Sequence, residues 1–356
     1  MAYTTINDPS KYFQTAIYTG NGSTQTITND GNSDLQLDLA WIKRRDAADN
    51  HVIVDTSRGL NKWLYTNSDG AEVGTETNGI TSVSSDSFAL GSSGSYNANT
   101  GKYATWQWKI NGGTTTTNND GNVAVTLQAN TTAGISLGLY EGTNTASRTF
   151  GHGLGATPEL VFFKCRDSGN LGWATWHTSI SPGSGLYLHS NTSKYGIGST
   201  AYGTFTSSVV ELNAWGPVNG SVESFMFLAF TGIAGYSKFG SWKGNVNALG
   251  PFIYTGFKPA FILWKPTGAS ENWIINDARR KKDATDNNKE NEVYERLYPN
   301  TNAYQSSSQA MMDILSNGFK IRTADTAWNG NGLEYVYAAF AENPFVTSTG
   351  TPCTAR

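Results

Sequence analysis

The residues best suited to recognition sit in three polar loops: "SYNANTGKY" (95–103), "AWGPVNGSVESF" (214–225) and "AWNGNGLEY" (327–335). Each carries an aromatic, Tyr96, Trp215 or Trp328, followed by Asn and Gly. Ring faces stack on the C–H faces of sugars while amides bond the hydroxyls, so these three are glycan-binding candidates. Trp173 in "LGWATWH" (171–177) is a fourth. The same rings have a competing use, covering the rim of their own domain. Two acid-x-x-Arg pairs, Asp55 with Arg58 and Asp277 with Arg280, could clamp an anion or tie a turn to itself. The corresponding middle position reads as Trp176, so the pairs are taken as structural turn ties.

Catalytic chemistry finds little support. Asp34 and Asp38 share a face of an extended "SDLQLD", yet four strand steps separate them by roughly 13 Å, too far for a glycosidase pair. His51, His152, His177 and His189 are scattered without ligand spacing, and no zinc site is expected. "NDGNSD" (29–34) and "NNDGN" (118–122) lack the remaining ligands of a calcium loop and read as tight turns. No phosphate loop or Ser/His/Asp set stands out. The expectation is a non-enzyme with no catalytic residue, metal or cofactor.

The elements that hold these loops recur three times. Apolar runs ending in lysine align without gaps: "LDLAWIK" (37–43), "PELVFFK" (158–164) and "PAFILWK" (259–265). Upstream of each lies an aromatic-x-Gly, "YTG" (18–20), "YEG" (140–142) or "WKG" (242–244), and downstream an aromatic strand, "YATWQW" (103–108), "FMFLAF" (225–230) or "YVYAAF" (335–340). Such runs read as strands buried on both faces, and the repeat of about a hundred residues matches a common sandwich size. The predicted fold is all-β: three tandem antiparallel β-sandwich repeats of jelly-roll or concanavalin A-like type, with a short N-terminal arm. The expected boundaries are an arm at 1–12, repeats at 13–110, 134–234 and 235–345, a Thr/Asn/Gly-rich connector at 111–133 and a tail at 346–356. The connector could add an edge strand. The charge run at 278–298 reads as an inserted, solvated loop whose second half could form a short helix.

Composition agrees with many short strands. The 356 residues include 39 Gly and 11 Trp, while charged residues are 15%, below the roughly 25% of ordinary soluble domains. A formal net charge of −3 gives no basic field for nucleic acid or anionic lipid. No apolar run approaches the roughly 18 residues of a membrane span, and the N-terminal stretch lacks the pattern of an export signal. Cys165 and Cys353 are too differently placed for a disulfide framework, which suits synthesis in a reducing cytosol.

Several phrases carry a family likeness: "INDPSKYFQTAIYTGNGSTQTITNDGNSDLQLDLAWIK", "FGHGLGATPELVFFKCRDSGNLGWATWH", "GYSKFGSWKGN", "FIYTGFKPAFILWK" and "ILSNGFKIR" with "YVYAAFAENPF". Together they resemble repeat units of bacteriophage virion proteins, notably of marine and cyanobacterial phages. The chain departs from that pattern at Leu37, where Pro is usual, and at Trp176, where the acid is missing. The resemblance implies a virion structural protein made in the host cytoplasm, built of concanavalin A-like sandwiches and placed on the tail or head. The role expected first is a homo-oligomeric tail fibre or appendage, such as a trimer. In this reading the 1–12 arm docks on other virion proteins and the exposed face touches host-surface glycan, with no nucleic acid and no membrane insertion. A capsid decoration protein and an envelope polysaccharide depolymerase are the alternatives.

Overall fold

The computed structural model describes residues 4–181, 183–197, 201–280 and 291–353. The chain is all-β, 44% strand against 4% helix, and its strands pair antiparallel into several sheets. Three of the sheets are built around the lysine-terminated runs. Leu39–Arg44 lies between Lys102–Trp108 and His51–Asp55 in a five-stranded sheet. Leu160–Cys165 lies between Ser221–Phe230 and Ala174–His177 in an eight-stranded sheet. Phe257–Pro266 lies between Glu334–Pro344 and Ile274–Asp277 in a four-stranded sheet. Registers agree as well: Leu39 faces Trp108 and Asp55, Leu160 faces Phe230 and His177, and Phe261 faces Phe340 and Asp277.

These runs are apolar throughout because their two faces enter different cores. Side chains alternate across a strand. Ala40 and Ile42 pack with Phe88 and Leu90 of a small sheet made of Gln25–Thr28, Ser87–Leu90 and Ile80–Val83. Val161 and Phe163 pack with Phe150 and Val210 of another, formed by Arg148–Gly151, Val209–Leu212 and Tyr202–Phe205. Ile262 and Trp264 pack with Phe319 and Ile321 of a third, formed by Phe252–Tyr254, Gly318–Ile321, Met312–Leu315 and Glu292–Val293. The opposite faces, Leu39 and Trp41, Leu160 and Phe162, Phe261 and Leu263, meet in one further cluster. Aromatics interlock there: Trp108 lies 5.0 Å from Phe13, 5.9 Å from Phe261 and 5.5 Å from Phe340, centroid to centroid.

Three sequence expectations need correction. The segment read as a docking arm is, in residues 4–12, part of the fold: Thr4, Ile6 and Pro9 are buried, Ile6 in the cluster common to the three large sheets. The Asn7 side chain donates to Ser348 Oγ and accepts from Ser348 N, both at 2.8 Å, tying this segment to the tail. The 111–133 connector does add an edge strand, Thr116–Asn118, to the eight-stranded sheet, and supplies its neighbour Val125–Asn130 as well. In the charge run, residues 281–290 lie outside the described residues, and 291–298 contain the strand Glu292–Val293 in place of a helix. Finally, the middle counterpart of Asp55 and Asp277 is His177, since one extra residue in that hairpin displaces Trp176.

Candidate functional site

Each aromatic-Asn-Gly loop folds into a single helical turn, Gly94–Asn97, Gly216–Asn219 or Thr326–Asn329, whose last residue is fully buried. The buried amide is spent on backbone. The Asn97 Oδ1 accepts from Asn21 N at 2.9 Å while its Nδ2 donates to Gly91 O and Ser23 O at 2.7 and 2.5 Å. Asn219 accepts from Thr143 N at 2.7 Å and donates to Thr145 O and Asn213 O at 2.9 and 3.2 Å. Asn329 accepts from Asn245 N at 2.9 Å and donates to Asn247 O and Thr323 O at 2.9 and 2.8 Å. In every case the amide fastens the loop to the residues that follow the aromatic-x-Gly landmark. The landmark glycine has a steric cause: a Cβ on Gly20, Gly142 or Gly244 would stand 2.3, 2.0 or 2.3 Å from the carbonyl oxygen of Ala98, Gly220 or Gly330. Its aromatic stacks on the closing strand, Tyr18 on Tyr103, Tyr140 on Phe225 and Trp242 on Tyr335, at 5.1, 5.3 and 4.9 Å.

This packing corrects the glycan candidates. Tyr96 and Trp173 are each only 1% exposed and offer no face to a sugar; the Trp173 indole instead donates to the Tyr65 carbonyl at 2.9 Å. Trp328 is half-buried, with the Arg296 guanidinium 4.4 Å above its ring and Trp264 beside it. Trp215 is partly exposed and lies 6.1–6.3 Å from Tyr187, Tyr195 and Tyr202. The four rings do not converge: Tyr96, Trp215 and Trp328 belong with three different local cores, and Trp173 with the common one.

The acid-x-x-Arg pairs close turns and then reach across the molecule. Asp55 accepts from Arg58 N and Nε at 2.8 and 2.5 Å, and Arg58 Nη2 donates to Ile53 O at 3.0 Å. Arg280 repeats the three contacts, its N and Nε donating to Asp277 and its Nη2 to Ile275 O at 3.0 Å. Arg58 Nη1 goes on to Glu72, which also receives Arg166 through two bonds of 2.9 and 3.0 Å. Burial alone would raise the Glu72 carboxyl; bonds from Arg166 and Arg58 outweigh it and hold the group below its usual range. At the corresponding place Gln305 receives both Arg280 and Arg45. His177, which stands where the acid would be, donates from Nε2 to Tyr337 O at 3.1 Å and accepts from Ser179 N, its pKa pushed down to about 4 by burial.

Sequence reasoning used the aligned lysines as markers and missed what they do. Lys43, Lys164 and Lys265 are fully buried, with no carboxylate among the described residues in hydrogen-bond contact. Lys43 Nζ donates to Asn302 O at 3.4 Å, Lys164 to Asp69 O and Leu171 O at 3.0 and 2.7 Å, and Lys265 to Asn191 O at 3.1 Å and to Glu271 O. Burial lowers their pKa values to about 8, 8 and 7. The available signal was a lysine at the end of three apolar runs, where a solvated charge would ordinarily mark the strand end.

The buried Asp38 carboxylate is occupied by Ile110 N, Gly112 N and Thr56 Oγ1 at 2.6, 2.9 and 3.1 Å. Among the described residues no group of three or more His, Cys, Asp or Glu could hold a metal ion, and no helix is long and apolar enough to cross a membrane. The common core encloses an apolar cavity of about 30 Å³, lined by Trp41, Trp108, Phe162, Phe261 and Phe340 among others. That space is about one water in size.

A family model described as a domain of unknown function, DUF7483, matches residues 8–344. The chain belongs to this family. No curated protein matches it. The DUF7483 match runs from Asp8, which caps the first short helical turn, to Pro344, the last residue of the final strand, so one family domain takes in all three lysine-terminated runs.

Proposed function

We propose that the chain is a non-enzymatic structural protein of a bacteriophage virion, made of three tandem antiparallel sandwich units of jelly-roll or concanavalin A-like type that close into a ring within one polypeptide. The observation that supports this most is a cycle of backbone bonds. Glu72 N donates to Arg166 O at 2.7 Å, Lys194 N to Thr267 O at 2.7 Å and Gln305 N to Arg45 O at 2.8 Å, running from the first unit to the second, the second to the third and the third to the first. Each acceptor lies two residues past the aligned lysine of its own unit, Arg45 after Lys43, Arg166 after Lys164 and Thr267 after Lys265. The buried lysines bridge the same three pairs of units with donor and acceptor exchanged, the first donating to the third unit, the second to the first and the third to the second. A head-to-tail contact that closes after three steps is a trimer in geometry, carried here by one chain.

A closed ring with its polar loops fastened down suits a load-bearing part of a particle that must persist without disulfides. The phage assignment draws on the sequence resemblance, and with it the place on a tail fibre or appendage. Host-glycan contact then narrows to Trp215: Trp328 is equally half-buried but has the Arg296 guanidinium over its ring, whereas Trp215 has tyrosines around it. Capsid decoration is the second reading, favoured by the burial of Tyr96 and Trp173 and of all three loop amides.

Imaging intact particles labelled on this protein tests both. Label on the tail, with slower cell adsorption of Trp215→Ala particles, supports the first reading, and label spread over the head supports decoration. Unlabelled particles would end the virion assignment, and release of reducing ends from envelope polysaccharide would end the non-enzymatic one.

A further inference from the structure

Seven large apolar side chains are exposed among the described residues, and four of them, Val246, Leu249, Phe252 and Tyr254, fall in one short stretch. The stretch ends in Phe252–Tyr254, an edge strand whose one sheet neighbour is Gly318–Ile321. Ile253 pairs with Phe319 and enters the core, which leaves Phe252 and Tyr254 side by side on the outer face. Bonds from Ile321 N to Pro251 O and from Thr255 N to Asn317 O fix the ladder. Alternation then turns the peptide groups of Phe252 and Tyr254 away from the sheet.

The two corresponding edges are treated differently. Ile27 pairs with Phe88 as Ile253 does with Phe319, and its neighbours on the outer face are the exposed hydrophilic pair Thr26 and Thr28. Phe150 pairs with Val210 in the same way, and there the chain covers its own edge. Val123 N donates to Thr149 O at 3.1 Å, Thr149 N to Asn122 Oδ1 at 3.0 Å, and Val123 bridges Phe150. One edge is polar, one is covered, and the third is apolar and open.

We infer that Phe252–Tyr254 is a dimerisation edge whose occupant is the same strand of a second copy of this chain. An antiparallel twofold puts Phe252 opposite Tyr254 of the second copy, twice. The outward N–H and C=O groups at both positions are then consumed in four interchain bonds, and two aromatic cross-strand pairs form on one face. A different extended segment would lack this self-matching. The strand and its flanks, "PFIYTG" (251–256), carry no charge, so two copies meet without like-charge repulsion. Leu249, 65% exposed, extends the apolar surface beside the strand.

Lys238 guards the edge in the lone chain. Its ammonium bonds the Tyr254 carbonyl at 2.8 Å and lies 5.2 Å over the Tyr254 ring, the position a lysine takes to blunt an edge strand. Pairing displaces it, and a cleft of about 410 Å³ lined by Lys238, Tyr254 and Glu159 gives it both room and a carboxylate. The dimer needs no virion around it, so its failure and that of the virion assignment can be told apart.

Sedimentation velocity of the purified full chain across a concentration series is the test. The expected result is a monomer–dimer equilibrium. Replacing Phe252 and Tyr254 by Thr, the residues the first edge carries, weakens it at least tenfold with unchanged circular dichroism, and Lys238→Met tightens it several-fold. A monomer at every concentration, a trimer, a dimer indifferent to the Thr pair, or binding of another protein at this edge without self-association would each overturn the dimer.

Discussion

Val222 has φ 58° and is 82% exposed, a conformation that a β-branched residue adopts at a cost. Its counterparts three residues before the stacked aromatics are Thr100 at φ 62° and Gly332 at φ 67°, so the backbone demands this turn in all three loops and glycine meets the demand once. Val222→Gly should therefore raise stability by about 0.5–1 kcal/mol, the relief of left-handed strain less the entropy of a glycine; the denaturant midpoint reads it. The buried lysines set a second expectation at this scale. In the unfolded chain lysine holds its proton to an ordinary value of 10.5, whereas Lys265 loses it near 7 and Lys43 and Lys164 near 8. Between about pH 7 and 10 the unfolded chain binds more protons, so stability should rise with pH over that window. Above pH 10 the sign reverses, because burial holds Tyr335 up to about 12 and its proton leaves the unfolded chain first. Unfolding midpoints measured from pH 6 to 11 should show that maximum, with the rise near pH 7 blunted in Lys265→Met.

The one-turn loops show how far the sequence could be read. The recurring landmarks and the placing of core aromatics were visible, because apolar runs and alternating aromatics answer directly to burial. The role of Asn97, Asn219 and Asn329 was not, since an amide beside a ring has the same spacing whether it waits for a sugar or staples a loop, and only its burial decides. The common core was hidden for a related reason: Leu39, Ala40, Trp41 and Ile42 are all apolar, so the pattern cannot tell that alternate residues serve different cores. Residues 4–12 misled through their hydrophilic composition, in which Ile6 is the one aliphatic anchor. Deleting 4–12 should consequently lower the melting temperature of the free chain, because it empties the Ile6 site and frees the tail held by Asn7. An unchanged melting curve would return this segment to the role of an independent arm.

At the scale of the whole molecule, the proposed ring makes three units interdependent. Phe13, Trp108, Phe261 and Phe340 come from its first and third units, Phe162 and Phe230 from the second, and all belong to one buried cluster. Trp108→Ala removes the ring that touches Phe13, Phe261 and Phe340 and should cost about 3–5 kcal/mol. Amide hydrogen exchange of wild type and Trp108→Ala, compared strand by strand, tests the closure most directly. The ring requires that protection fall together in Leu39–Arg44, Leu160–Cys165 and Phe257–Pro266. Loss confined to 13–110, with the other two strands as protected as before, would contradict it.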